Sequence, residues 1–376
     1  MLNKIKSKKI DPKKLIEFLK KKKINFFSGV PDSCTLQFCN QLLKTKNIKN
    51  IVAANEGVAV SHGVGHYLAT KRLPCIYLQN SGIGNATDPI TNLCEKNIYN
   101  IPLLLLIGWR GAPGIKDEPQ HYLQGRIMTR ILKLYGIKYI EIKSNGDFKK
   151  ISKLISYSKK KSARVALIVK PNSFEKLHKT SNTKEKSDIK RIDVINVILK
   201  KIKKKTKIIS SVGYNSRELH QMRLANKNFL GQDFLMVGAM GHTAATAMSM
   251  SSYFKGQVLC LDGDGSFIMH LGSFSSISKL EHKNFKYILI DNASHESIGG
   301  QPINLKHIDI KSLAKSLNFK KFFSTNKKAN LPNIFETFLN SDGPSFFHIK
   351  INKGTLENLI RPKNLIDIKN NFINKN

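Results

Sequence analysis

The feature that most constrains this chain is a regular alternation. Short apolar runs, bounded by Gly, Pro or Asn, are separated by stretches in which small and apolar residues recur at helical spacing. The runs of the first half are NFFSGV (25–30), NIVAA (50–54), CIYLQN (75–80), PLLLLIG (102–108), YIEI (139–142) and ARVALIVK (163–170). Those of the second half are KIISSVG (207–213), FLMVGAM (234–240), QVLCLDG (257–263), KYILIDN (286–292) and SFFHIKI (345–351). A strand that is apolar along its whole length must be covered on both faces, and the intervening helices supply that cover. The pattern therefore predicts an α/β protein with two parallel-sheet, three-layer α/β domains. Between the halves lies EKLHKTSNTKEKSDIKR (175–191), lysine-rich and without a hydrophobic face, which reads as a linker. The boundaries expected are a first domain over 1–178, a linker over 179–190 and a second domain over 191–376.

Composition narrows the function classes. The formal net charge is +37, and a strongly basic chain is a candidate nucleic-acid binder. Most of the positive residues are lysines, in KKLIEFLKKKK, DFKKISKLISYSKKK and VILKKIKKKTK, where they fall on the solvated faces of expected helices. Arginine, the better reader of bases and phosphates, is sparse, and no aromatic residues interleave with the basic ones for stacking. The charge reads as lysine bias and solubility, and no nucleic-acid partner is expected. No apolar run reaches the ~18 residues of a membrane span, so no membrane partner is expected either. The N-terminus MLNKIKSKKIDPKK lacks the apolar core of a signal peptide. Cys34, Cys39, Cys75, Cys94 and Cys260 are scattered and form no C-x-x-C pair, which fits reduced thiols in a cytoplasm rather than a disulfide frame or a zinc site.

Parallel α/β sheets bind ligands at the carboxyl ends of their strands. The residues there are SGVPDS, NEG, QNSGIGN and GWRGAPG in the first half, and SVGYNSRE, GAMGHT, DGDGS and DNASHE in the second. LDGDGSFIMH (261–270) stands out, because it sets two carboxylates among glycines at the end of an apolar run in a basic protein. Flanking glycines let backbone N–H groups approach an anion, and the next helix, expected near LGSFSSISKL, helps to hold it. A carboxylate beside a phosphate repels it unless a divalent cation stands between them. Mg2+ takes about six oxygens, one or two of them carboxylate and the rest phosphate, carbonyl or water. Asp264 is the candidate carboxylate, and Asn292, at the end of the next run after 26 intervening residues (266–291), is the candidate second ligand. The bland alternative for G-D-G is a tight turn with a capping aspartate.

With these residues in place, the sequence resembles the thiamine-diphosphate enzymes, whose diphosphate motif is G-D-G, a spacer of similar length, then Asn-Asn. Here the pair is Asp291-Asn292, so the first Asn is replaced while the second is kept. The resemblance implies thiamine diphosphate and Mg2+ as cofactors, the latter held by the Asp264 and Asn292 side chains and the Ser294 carbonyl, with Gly265 and Ser266 at the diphosphate. It implies a pyrimidine-binding domain over 1–178 and a diphosphate-binding domain over 191–376. It assigns Glu56, in AANEGVAV, to the aminopyrimidine, Met240 to the wedge between the cofactor rings, and the Gly238 carbonyl to the exocyclic amine. Taken alone, Glu56 is a helix-start carboxylate favoured by the dipole, and Met240 is ordinary core packing.

The short linker leaves no room for the third domain of larger family members, so the chain resembles the compact branch. GVPDS, NEGVAVSHGVGHYLAT, QNSGIGNATDPITNL, GWRGAPGIKDEPQHYLQGR and SHESIGGQP look very like the phosphonopyruvate decarboxylases. The resemblance implies cleavage of an anionic 2-oxo acid, 3-phosphonopyruvate, to phosphonoacetaldehyde and CO2. Sulfopyruvate decarboxylation is the rival, carboligation is disfavoured for want of the larger architecture, and a basic binding protein is the non-enzyme alternative. Asp32, His121 and His295 are the candidates for the acid–base group beside Glu56. Turn capping is the alternative for Asp32, and merely polar positions for the histidines. Arg110, Lys116, Arg126 and Arg217 are the candidate cations for the phosphonate, a bidentate arginine suiting it best. The family also implies a homodimer or higher oligomer with sites at the subunit interface.

Overall fold

The computed structural model describes residues 9–177, 187–279, 283–303 and 305–374. It divides into two compact units. One lies within Met1–Thr180 together with Ile298–Gln301, and the other within Ser181–Ser297 together with Pro302–Asn376. Of the linker expected over 179–190, residues 179–186 lie outside the described residues.

The first unit is a six-stranded sheet in the order β2-β1-β3-β4-β6-β5. Its strands are β1 (Phe26–Gly29), β2 (Lys49–Val52), β3 (Cys75–Gln79), β4 (Leu104–Gly108), β5 (Lys138–Glu141) and β6 (Val165–Val169), all parallel. The central strands CIYLQ, LLLIG and VALIV are buried almost throughout, while the edge strands KNIV and KYIE each start on an exposed lysine. That division is what parallel pairing demands, since central strands are covered on both faces and edges are kept from further pairing by charge. One face packs around Phe27, Phe38, Tyr77 and Leu106, the other around Ile76, Leu105, Ile107 and Ile168. The covering helices are α1 (Pro12–Lys21), α2 (Leu36–Lys44), α3 (Glu56–Thr70), α4 (Ile83–Asn92), α5 (Pro119–Leu134) and α6 (Phe148–Lys161). Asn55 caps α3 by accepting from the Val58 N–H, which makes Glu56 the first helical residue directly after β2.

The second unit repeats the plan, in the order β13-β14-β10-β9-β7-β8. Its sheet strands are β7 (Thr206–Ser210), β8 (Gln232–Leu235), β9 (Gln257–Gly263), β10 (Phe285–Asp291), β13 (Lys321–Thr325) and β14 (Ser345–Lys350). Two further strands of two residues are β11 (Ser294–His295) and β12 (Gln301–Pro302). The helices are α7 (Arg191–Lys201), α8 (Tyr214–Ala225), α9 (Thr243–Ser251), α10 (Asp264–Met269), α11 (Ile310–Ser316), α12 (Leu331–Asn340) and α13 (Leu365–Asn374). An aromatic cluster of Phe267, Phe274, Tyr287, Phe319 and Phe346 fills one face, with Phe274 edge-on to Tyr287 at 5.0 Å and Phe319 edge-on to Phe346 at 5.0 Å. Among the described residues, no helix is long and apolar enough to cross a membrane.

Three local features differ from the sequence expectation. The run FLMVGAM (234–240) was expected as strand throughout, but β8 ends at Leu235 and 236–242 is a loop, because Ala239 (φ 53°) and Gly241 (φ 88°) leave the extended region. The helix after G-D-G starts at Asp264 itself, and Leu271–Lys279 is a 3-10 segment. Strand β13, KFFST, was not expected. It is a half-exposed edge strand with a lysine at its head, so it lacks the unbroken apolar run that marks the buried strands.

Lys286 lies on β10 and is 1% exposed. Its Nζ donates to the Ser341 carbonyl, to Ser341 Oγ at 3.1 Å and to Ser345 Oγ at 3.3 Å, and it sits 5.6 Å from the centre of the Phe338 ring. Burial pushes its pKa down to about 8. A lysine held below its unfolded value near ~10.4 lets the unfolded state bind more protons between the two values, so stability rises with pH across that window. We predict that Lys286→Met stabilises the fold by about 2–3 kcal/mol at pH 7. The gain should shrink as pH passes from about 8 to ~10.4. Urea unfolding at several pH values checks this, and a pH-independent difference between variant and wild type contradicts it.

Candidate functional sites

In the second unit, the chemistry-bearing residues gather where β9 and β10 end. Asp264, 5% exposed, opens α10 immediately after β9. Its Oδ1 accepts from the Gly265 N–H at 2.8 Å, and its Oδ2 accepts from the Asn292 and Ser294 N–H groups at 3.2 and 3.3 Å. Asn292 Oδ1 accepts from the same Ser294 N–H at 3.0 Å. Asp264 and Asn292 oxygens thus converge on one backbone donor. Burial, with the Asp291 carboxylate beside it, pushes the Asp264 pKa up. Burial would raise Asp291 as well, but the His348 imidazole on β14, with Nε2 at 2.9 Å from Asp291 Oδ2, holds it below the usual range. Asp262 lies one step back on β9, accepts from the Tyr287 hydroxyl at 2.9 Å and is raised by burial to about 6.

Around this carboxylate the backbone comes close. A side chain at Gly265 would run into Met240 Cε and the His295 ring, so these two residues wall the position. His295 is 8% exposed, and burial lowers its pKa to about 4, which leaves the imidazole neutral at pH 7. Ser266 Oγ accepts from the Gly241 N–H at 3.1 Å, tying the loop that carries Gly238 and Met240 to α10. Ser211, just after β7, and Asn215, in the first turn of α8, lie nearest the open side of Gly263. Ser294 Oγ is buried and has no hydrogen-bond partner. The set fits a hard cation in its donor chemistry, with one carboxylate, one amide oxygen and a buried, unsatisfied hydroxyl on the same loop. Among the described residues no group of three or more His, Cys, Asp or Glu could hold a metal. With a single carboxylate here, the rest of a cation's shell would fall to amide, hydroxyl, carbonyl, water or ligand oxygens.

In the first unit, acids gather at the ends of β1, β2 and β4. Glu56 is 6% exposed. Burial pushes its pKa up, partly offset by Asn85, whose Nδ2 donates to Glu56 Oε2 at 2.7 Å. Gly82 is a glycine because any Cβ would occupy the space of Glu56 Oε1. Asp32, 2% exposed, accepts from the Cys34 N–H at 2.6 Å and from the Thr35 hydroxyl, while burial raises its pKa. Gly108 at the end of β4 leaves room for this carboxylate in the same way. Arg110 gives its bidentate edge to Asp117, with Nε at 2.7 Å from Oδ2 and Nη2 on Oδ1, and its Nη1 donates to Ser33 Oγ at 2.8 Å. Asn80 clamps the same turn, accepting from the Arg110 N–H at 3.0 Å and donating to its carbonyl at 2.9 Å. Lys116 and Arg126 are exposed and His121 is half-buried in the first turn of α5. Arg217, in the second unit, lies 5.3 Å over the Tyr214 ring.

Residues 13–134 match the thiamine pyrophosphate enzyme, N-terminal TPP binding domain, and residues 211–349 match the thiamine pyrophosphate enzyme, C-terminal TPP binding domain. The chain belongs to the thiamine-diphosphate-dependent decarboxylase family. It is 29% identical to the phosphonopyruvate decarboxylase of Streptomyces viridochromogenes over 89% of this chain and 87% of that protein. It is 25% identical to the sulfopyruvate decarboxylase of Methanosarcina acetivorans over 91% of each. To the sulfopyruvate decarboxylase subunit alpha of Methanocaldococcus jannaschii it is 34% identical, over 40% of this chain and 87% of that subunit.

Several site residues escaped the sequence reading. Asn85 and Asp117 lie in segments quoted for the resemblance but carry no local signal of their partners. Asn80, Ser211 and Asn215 follow apolar runs and were findable as strand-end polar residues. His348 lies inside a strand, where nothing distinguishes it from a packed histidine.

The Arg110–Asp117 pair yields a test. Asp117, its side chain 5% exposed, accepts on Oδ2 from Arg110 and the Gly111 N–H, and on Oδ1 from Arg110 and the Glu118 N–H. Burial works against the charge, but these donors hold its pKa well below the usual range. The stability it contributes is present above the unfolded pKa near ~3.9 and is lost as pH falls toward the folded value. We predict that Asp117→Asn, which turns an NH2 toward a donor, costs about 3 kcal/mol at pH 7. The cost should fall below pH ~4. Chemical unfolding at pH 7 and at acid pH checks both parts.

Proposed function

We propose that this chain decarboxylates 3-phosphonopyruvate to phosphonoacetaldehyde and CO2, as a cytoplasmic step of phosphonate biosynthesis, with thiamine diphosphate held through Mg2+. The observation that carries the reading is the convergence of Asp264 and Asn292 oxygens beside Ser294, at paired strand ends of a chain with both TPP-binding domains. The substrate is supported by the likeness to phosphonopyruvate decarboxylase along most of the chain.

Asp264, Asn292 and the Ser294 carbonyl would hold the Mg2+, and Gly265 and Ser266 would face the diphosphate. Gly238 and Met240, in the loop after β8, would receive the pyrimidine and wedge the rings. When bound, thiamine diphosphate supplies the carbon nucleophile and the electron sink that release of CO2 from a 2-oxo acid requires. Glu56 would hold and return a proton at Oε1, since Asn85 engages Oε2 and burial favours the protonated acid. Asp32, raised by burial, His295, neutral at pH 7, and His121 are the candidates for the acid–base group that handles the proton completing the aldehyde. Arg110 has its bidentate edge on Asp117, and Lys116, Arg126 and Arg217 are the other candidate cations for the phosphonate. A second reading, sulfopyruvate decarboxylation, is favoured by the likeness to sulfopyruvate decarboxylases. An aldehyde-coupled assay offering phosphonopyruvate, sulfopyruvate and pyruvate with Mg2+ and thiamine diphosphate decides between them. The expected order places phosphonopyruvate first, and preference for sulfopyruvate overturns the substrate. Asp264→Ala should lose at least ~100-fold in Mg2+-dependent cofactor affinity and in activity. Cofactor affinity equal to wild type would remove the basis of the metal assignment.

We further propose that the active unit is a twofold dimer with two equivalent sites, each taking Glu56 from one chain and Asp264 from the other. The relatives named as separate alpha and beta subunits support the idea that such sites are assembled between polypeptides. Mixing Glu56→Gln and Asp264→Ala subunits, each nearly inactive alone, places both defects in one site of a hybrid and leaves the other site intact. With random assortment about half the dimers are hybrids, so roughly a quarter of wild-type activity should return. No recovery, with exchange shown by native mass, defeats the shared-site arrangement.

A further inference from the structure

Glu296 directly follows the loop assigned above to the metal, and its side chain is 15% exposed. Its Oε2 accepts from Asn292 Nδ2 at 2.8 Å and from Arg191 Nη2 at 2.7 Å, and its Oε1 accepts from the Gly354 N–H. Arg191 is 4% exposed. Its Nη1 donates to the Gly354 carbonyl at 2.9 Å and to Glu218 Oε1 at 3.4 Å. Glu218 Oε1 in turn accepts from the Leu356 N–H at 3.2 Å. Two glutamates and one buried arginine therefore clasp residues 354–356 and reach Asn292 through a single carboxylate oxygen.

That contact decides which end of the Asn292 amide points where. A carboxylate only accepts, whereas an amide donates from its nitrogen and accepts on its oxygen. With its nitrogen bound to Glu296, the Asn292 oxygen faces the opposite side. There it meets the Ser294 N–H at 3.0 Å, the same N–H that reaches Asp264 Oδ2 at 3.3 Å. The reversed amide would set oxygen against the Glu296 carboxylate and nitrogen toward the cation, losing on both sides.

We propose, resting on the metal reading above, that Glu296 is a positioning residue for the divalent cation. It fixes the Asn292 amide with its oxygen toward Asp264, and Arg191 holds Glu296 in place. The arrangement is an outer-shell partner of the kind that tunes metal sites.

The test is a cycle of Glu296→Gln, Asn292→Asp and the double variant. Its readouts are the apparent Mg2+ dissociation constant, from calorimetric titration with thiamine diphosphate present, and the melting temperature of the cofactor-free protein. Glu296→Gln removes the acceptor-only partner and should weaken Mg2+ binding ~10–100-fold. Asn292→Asp offers a stronger ligand but faces the Glu296 carboxylate, and it should also weaken binding by at least ~10-fold. In the double variant the new amide donates to the new carboxylate, so binding should return to within ~10-fold of wild type, well above the product of the two losses. A merely structural Glu296 predicts a lower melting temperature with unchanged Mg2+ affinity in Glu296→Gln, and Mg2+ binding at least as tight as wild type in Asn292→Asp. Either result overturns the proposal, and the Asn292→Asp arm stands even if Glu296→Gln fails to fold. Wild-type protein that binds thiamine diphosphate without regard to Mg2+ instead overturns the metal reading itself, and the proposal with it.

Discussion

A carboxylate buried at the end of a parallel strand is the constraint around which the second unit is organised. Asp264 leaves β9 with 5% of its surface exposed, where an uncompensated charge is costly. Backbone N–H groups from Gly265, Asn292 and Ser294 offset part of that cost. They can do so because β9 and β10 end side by side and α10 begins at once. The replacement of the family's first Asn by Asp291 adds a second carboxylate beside the first. His348, on the neighbouring strand β14, meets that carboxylate with its Nε2 2.9 Å from Asp291 Oδ2. The substitution and its remedy lie 57 positions apart and meet through the sheet register.

The first unit uses the same strand-end geometry for a different purpose. Glu56 and Asp32 are both buried and both pushed toward the protonated form, each steadied by neutral donors, Asn85 in one case and Thr35 in the other. Asp117, in the loop before α5, faces a guanidinium and backbone donors and stays ionised. Identical chemical groups thus take opposite protonation preferences according to what surrounds them. A site that moves protons needs the first kind, and a loop that must stay rigid needs the second.

Most of the sheet architecture was legible in the sequence because parallel strands buried on both faces must be apolar from end to end. QVLCLDG and CIYLQ announce themselves in this way. Strand β13 did not, since an edge exposed on one side needs no such run. The stretch 236–240 reads as strand because its apolar residues, Met236, Val237 and Met240, mimic one, while the chain turns at Ala239 and Gly241 with positive φ, and Gly241 lies so close to Met269 and His270 that a Cβ would strike them. Asp264, Asn292 and Glu56 were legible as residues that break an apolar pattern at a strand end. Asn85, Asp117, Glu296 and Arg191 were not. Their partners come from other elements, and only the folded chain brings them within reach.

The clasp formed by Arg191, Glu218 and Glu296 has a consequence for how the chain is wired. Gly354 lies 58 positions beyond Glu296, past the whole remaining sheet, yet it binds the same carboxylate as Asn292. Further along, the Phe372 carbonyl receives Lys207 Nζ, and the Phe372 ring packs 5.7 Å from that of Phe234 beside β8. The segment after β14 is therefore built into the unit rather than laid beside it. During synthesis Arg191, Asn292 and Glu296 emerge before it, so a ribosome-bound chain ending at Lys350 would already hold the loop's first tie but not the Gly354 and Leu356 contacts that complete the clasp.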